Sequence, residues 1–167
     1  MRKKKQSSQQ PSINTIEKGA GFFRRLGAFI YDGLVVVALL MLAGALGVGF
    51  GATLIELGLV SMTGYVDISD FMTSHPVASQ IFTFYMAAVL LGFFVFFWCR
   101  GGQTLGMRAW RLRVQNSDGS NITIMQALIR LSTACLGLGN LLVIFDPKNK
   151  AFQDHFAKCE VIVLPKP

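Results

Sequence analysis

Residues 21–50 read GFFRRLGAFIYDGLVVVALLMLAGALGVGF, and their reading decides the fold. Arg24 and Arg25 stand at the head of an apolar run long enough to cross a bilayer. A helix over 26–50 would extend roughly 37 Å, against a hydrocarbon core of about 30 Å. One carboxylate, Asp32, falls inside the run. An acid within a span costs about 2.5–3.5 kcal/mol on insertion scales, so Asp32 needs a protein partner. Ala43-Gly44-Ala45 has the look of a signal cleavage site, but the run continues past it, which favours an uncleaved first span.

The rest of the composition agrees. The chain has 167 residues, a length for one domain, with 52% hydrophobic and only 15% charged residues. Mean hydropathy is +0.48. A soluble domain needs more surface charge than this, so the totals point to an integral membrane protein. Net charge is +7, concentrated at the chain start and in a central loop. Positive clusters beside spans set topology and contact anionic lipid headgroups. No groove-reading motif accompanies them, so no nucleic-acid partner is expected. The three cysteines show no CxxC spacing and read as reduced thiols.

Working outward, residues 1–20 form a basic, mobile N-terminal tail in this reading, and 21–164 a membrane domain. Span 1 covers about 26–50. An outer loop follows over 51–78, and a second span over about 77–98, with aromatics crowded at its far end from Phe93 to Trp98. These aromatics read as an interfacial belt or as lipid-facing bulk. The acidic loop holds Asp67, Asp70 and His75, which lack EF-hand spacing and a second imidazole, so no metal is expected there. Residues 99–121 carry Arg100, Arg108, Arg111 and Arg113 and are assigned to the cytoplasm. Within them, 103–110 suggests a short interfacial helix.

Residues 122–145 are apolar again, with Arg130 inside. A single crossing would export the tail over 146–167, which carries four lysines. A break at Gly137-Leu138-Gly139-Asn140 allows two short helices, about 122–136 and 140–146, to dip in and return. Gln126, Arg130 and Thr133 share one face of the first, a polar stripe that should meet protein. In the tail, EVIVL over 160–164 has strand character and pairs in this reading with 111–115. The fold class expected is thus an all-α integral membrane protein. It has two full transmembrane helices, a third apolar segment that is re-entrant or a bent hairpin, and a short cytoplasmic β-ribbon.

These pieces resemble the RDD family of bacterial membrane proteins. GFFRRLGAFIYDGL resembles its first signature, an arginine with an aspartate seven residues on, matched by Arg25 and Asp32. GGQTLGMRAWRLRVQNSDG resembles its Gly-Gln-Thr-Leu-Gly loop, with Met107 where a lysine is usual. KAFQDHFAKCEVIV resembles its C-terminal segment and places a second aspartate at Asp154, although 155–159 follow the usual ending loosely. Arg130 matches an arginine that often follows the loop. The resemblance implies a multi-pass protein of the bacterial inner membrane, and transport of an unknown ligand has been suggested for the family. Some relatives are linked to sodium–proton exchange.

The residues expected to matter are Arg25, Asp32, Arg130 and Asp154, a charge network in apolar surroundings. Arg25 and Asp32 lie about 10.5 Å apart along one helix, and Arg25 leans away, so they should not bond each other. Two linked pairs are expected instead: Arg25 with Asp154, and Asp32 with Arg130. A carboxylate held by arginine acts as a structural lock, which suits a protein accessory to a membrane complex. The alternative is an oligomeric transporter or ion antiporter component that uses Asp32, since two spans enclose no pathway alone. A homo-oligomer or a larger complex is expected either way. No catalytic or metal spacing is present, so neither enzymatic activity nor a cofactor is expected.

Overall fold

The computed structural model describes residues 19–147 and 149–165. The basic tail expected over 1–20 lies outside the described residues except for Gly19 and Ala20. Helix α1 runs from Phe22 to Glu56, longer than the 26–50 expected. Glycine and alanine beyond Phe50 do not stop a helix when a neighbour packs on them. Here α2, Ile68–Ser74, folds back and lays Met72 over Gly51. Asp67 starts α2 by accepting the Asp70 amide at 2.8 Å. His75 then starts the next helix, its Nδ1 accepting the amides of Val77 and Ala78 at 3.2 Å each.

That helix, α3, spans Ala78–Gly101. It runs antiparallel to α1, with Gly47 against Phe82 and Gly44 against Met86. The Tyr85 hydroxyl donates to the Ala43 carbonyl at 3.1 Å. Both helices are long and apolar enough to cross a membrane. Their outer faces expose Leu34, Met41, Leu46, Phe50, Ile81 and Phe84. A contiguous apolar surface of that extent suits lipid rather than water. Two of the crowded aromatics turn inward instead: Phe93 and Trp98 are buried, while Phe96 stays exposed.

Gly102 ends α3 at φ +65°, and a Cβ there would sit 2.6 Å from the Val114 carbonyl. The chain then forms α4, Leu105–Ala109, and β1, Leu112–Gln115. Trp110 packs its ring against Gly27 of α1. Helix α5 covers Ile124–Thr133, opened by a capping box between Thr123 and Gln126. A 3-10 helix follows over Cys135–Ile144. Its second half, Leu138–Ile144, lies 88° from α5. The second short helix, expected over about 140–146, is therefore a 3-10 helix that begins earlier, and a Cβ on Gly139 would sit 3.3 Å from the Thr133 carbonyl. Helix α6, Phe152–Phe156, leads to β2, Glu160–Val163.

Strands β1 and β2 pair antiparallel, Leu112 with Val163 through Gln115 with Glu160. The residues before α1 join this ribbon, with the Ala20 amide on the Val161 carbonyl at 2.9 Å and Gly19 bridging Ile162. The start of α1, the exit of α3 and the tail thus meet around one small core. Leu112, Val114, Ala127, Cys159 and Val161 fill it. An isolated two-stranded ribbon is marginal, and this one is held by the helix ends packed on it.

Helix α4 lies so close to α1 that a Cβ on Gly106 would collide with the Ala28 carbonyl. Gly106→Ala is therefore expected to lower stability by about 1–3 kcal/mol. Gly49→Ala, in open space on the exposed side of α1, should change little. Melting curves in detergent check the pair; equal melting of both variants would contradict the close approach.

Candidate functional site

The four charges singled out in the sequence occupy two arrangements. The first is centred on Asp154, which is fully buried at the start of α6. Its Oδ2 accepts from Arg25 at 2.8 Å and from the Ala151 amide at 3.0 Å. Its Oδ1 accepts from Arg130 of α5. Arg25 has further partners, donating through Nε to the Ala20 carbonyl and through a terminal nitrogen to the Asn149 carbonyl, both at 2.9 Å. Arg130 also donates to the Cys159 sulfur at 3.1 Å, and its guanidinium lies 5.0 Å from the Trp98 ring centroid. One carboxylate therefore joins α1, α5 and the tail, and a tryptophan from α3 covers the junction.

The second arrangement belongs to Asp32. The sequence reading expected it to pair with Arg130, and the structure does not bring the two together. Its Oδ2 accepts from the Thr104 hydroxyl at 2.5 Å and its Oδ1 from the Gly106 amide at 2.8 Å. The reason is steric and local. Gly106 lets the backbone of α4 reach Asp32, and Thr104 presents its hydroxyl there while also capping α4 through the Met107 amide at 3.2 Å. Arg130 is drawn instead to Asp154, the nearer carboxylate on the tail that its helix packs against.

Electrostatics at Asp154 can be worked out from its surroundings. Burial, the largest influence, disfavours its ionised form. The charges of Arg130 and Arg25, with the Ala151 amide, outweigh burial and hold the carboxyl below its usual range. Burial pushes the Cys159 thiol up, more than Arg130 draws it down, which suits a neutral sulfur accepting one hydrogen bond.

The polar stripe on α5 meets protein. Gln126 donates to the Ala157 carbonyl at 2.9 Å and to Asn116 at 2.7 Å, and Arg130 reaches Asp154. Thr133 returns its hydroxyl to the Ile129 carbonyl of its own helix at 2.6 Å. Sequence reasoning passed over Thr104, Gly106 and Cys159 as site residues. The signal for Thr104 was present, since a threonine directly before a helical run is an N-cap candidate. Asn121, which opens a glycosylation sequon, is tied to the Arg100 carbonyl at 3.1 Å.

A chain with two long apolar helices, an acid inside the first and a buried arginine–aspartate junction at one end has the build of a small membrane protein. The RDD family profile matches residues 19–158, and the chain belongs to the RDD family. Its family and its apolar helices together suggest a membrane location. Neither a curated protein nor a solved structure matches the chain.

Because the Asp154 carboxyl is depressed in the folded state, its stabilising contribution is present above its unfolded value of about 3.9 and lost as pH falls through the folded value. Melting of the parent protein should be level from about pH 8 to about 5 and fall below about pH 4. Asp154→Asn leaves two buried guanidinium groups short of a counter-charge. It should cost about 3–5 kcal/mol at neutral pH and flatten the acid-side fall. A melting series across pH checks both, and an Asn variant as stable as the parent at pH 7 would contradict the assignment.

Proposed function

We propose that this chain is a structural or accessory protein of the bacterial inner membrane, with its N-terminus in the cytoplasm. Its Arg/Asp network holds the first helix, the apolar hairpin and the tail in one unit. The observation that carries this reading is that every network charge has a protein partner: Arg25 and Arg130 on Asp154, and Asp32 on Thr104 and Gly106. A carboxylate that binds and releases a cation needs an exchangeable face, whereas these groups are used as ties. Interaction with a larger membrane complex, or with further copies of itself, would then fall to the exposed outer faces of α1 and α3.

The ribbon supports this topology. Since β1 and β2 pair, the segment between them must leave and return to the same side, which supports a re-entrant reading of 122–145. Arg100, Arg108, Arg111 and Arg113 supply the positive charge that assigns this side to the cytoplasm. Cys159 is fully buried and reports nothing about side, so introduced cysteines are needed. With the three natural cysteines replaced, Ser117→Cys should resist an impermeant thiol reagent in intact cells, and Thr63→Cys should react. The reverse pattern would overturn the orientation.

Function itself is tested by flux. Pure protein in proteoliposomes should carry no sodium, potassium or proton flux above empty vesicles, and Asp32→Asn should lower the amount of folded protein in cells. Ion-coupled flux that Asp32→Asn abolishes at unchanged protein level would favour the transporter reading.

A further inference from the structure

Between α1, α3 and α5 lies a cavity of about 360 Å³. That volume is within the range of about 300–1,000 Å³ typical of small-molecule sites. The cavity has two unlike ends. Val36 and Leu90 line it deep between the helices, and Phe29, Phe94 and Leu131 continue the apolar wall. Arg25, Arg130, Trp98 and Gln153 line it at the end where α1 begins and α3 finishes. Along α1, the step from Arg25 to Val36 is about 16 Å.

The polar end has unmet hydrogen-bonding capacity. Arg130, Trp98 and Gln153 are each more than nine-tenths buried. Among the described residues, Arg130 Nε, Trp98 Nε1 and Gln153 Oε1 lack a hydrogen-bond partner. Buried polar atoms without partners are costly, and native proteins leave few of them. Two are donors and one is an acceptor. The charge beside them is also uneven, since Arg25 and Arg130 share the single carboxylate of Asp154. Asp32, which also lines the cavity, has both oxygens engaged by α4.

We propose that this cavity is a binding site for one anionic glycerophospholipid. Its phosphate oxygens accept from Arg130 Nε and Trp98 Nε1, a glycerol hydroxyl of its head group donates to Gln153 Oε1, and an acyl chain lies along Val36 and Leu90. The head group answers the two donors, the acceptor and the local excess of positive charge at the Arg25, Arg130 and Asp154 junction, and the chain answers the apolar end. A bare fatty acid carboxylate would leave Gln153 unmet, and a choline head group carries no hydroxyl. The site is distinct from surface attraction of headgroups to the basic loop, because its ligand lies in a cleft between helices. It does not depend on the structural reading proposed above.

Trp98 reports on the site directly. The chain has two tryptophans, so Trp110→Phe leaves Trp98 as the sole indole. The protein is placed in phosphatidylcholine nanodiscs containing a small fraction of either dibrominated phosphatidylglycerol or dibrominated phosphatidylcholine, and quenching of Trp98 is read. The brominated phosphatidylglycerol should quench at a fraction on the order of tenfold lower than the brominated phosphatidylcholine. Gly33→Leu fills the cavity from α1, where a Cβ meets no atom within 4 Å, and should remove that preference without lowering the melting temperature. Leu90→Phe, from the opposite helix, should do the same. Equal quenching by the two lipids, or a preference that survives both fillings, would overturn the proposal. So would dibromostearate quenching as well as the phospholipid, which would reduce the ligand to a carboxylate.

Discussion

The ion junction at Asp154 is the constraint on which the rest of the structure depends. A carboxylate with no exposure to solvent is stable as an anion only if its surroundings supply matching charge. Here the match comes from two separate parts of the chain, Arg25 near the start and Arg130 in the fifth helix. Each arginine in turn needs Asp154. Burying the three together obliges α1, α5 and the C-terminal tail to meet at one point, although more than a hundred residues separate Arg25 from Asp154 in sequence. The ribbon of β1 and β2, the Ala20 contact to Val161 and the Arg25 contact to Asn149 all sit around that point.

Asp32 has a different task. It does not join the junction; it fixes the loop after α3 onto the first third of α1. The residues of that loop divide the work. Gly102 reverses the chain in the left-handed region, Gln103 donates to the Leu112 carbonyl at 2.7 Å, Thr104 caps α4 and bonds Asp32, and Gly106 removes the side chain that would hold α4 away. The run GGQTLG is thus a docking device for one helix on another. Gly102 and Gly106 serve geometry there. The core side of α3 is closed in the same region by Trp98, which serves both the hydrophobic core and the Arg130 guanidinium.

Much of this was legible in the residues. The two long helices follow from apolar length, the ribbon from the character of 111–115 and 160–164, and the meeting of Arg25 with Asp154 from the expense of burying either alone. The polar stripe of Gln126 and Arg130 announced a protein-facing side of α5. The partner of Asp32 was not legible, because counting charges favours pairing acids with bases. A hydroxyl and a backbone amide satisfy a carboxylate as well, and whether they reach it depends on a close approach that only Gly106 permits. Helix α1 also runs on past the apolar run to Glu56, and nothing local in Gly51-Ala52-Thr53 shows that Met72 will cover it. The cavity lay beyond sequence reasoning altogether, being the space left between three helices.

The central claim is that Arg25, Arg130 and Asp154 act as one unit. Melting of Asp154→Leu compared with the triple replacement Arg25→Met, Arg130→Met, Asp154→Leu tests it most directly. Removing the carboxylate alone strands two buried cations, while removing all three strands none, and buried ionic groups replaced together by apolar side chains often lose little stability. The account predicts that the triple variant melts well above the single one and close to the parent. A triple variant that melts at or below the single one would show that the three charges stabilise the fold independently, and would contradict it.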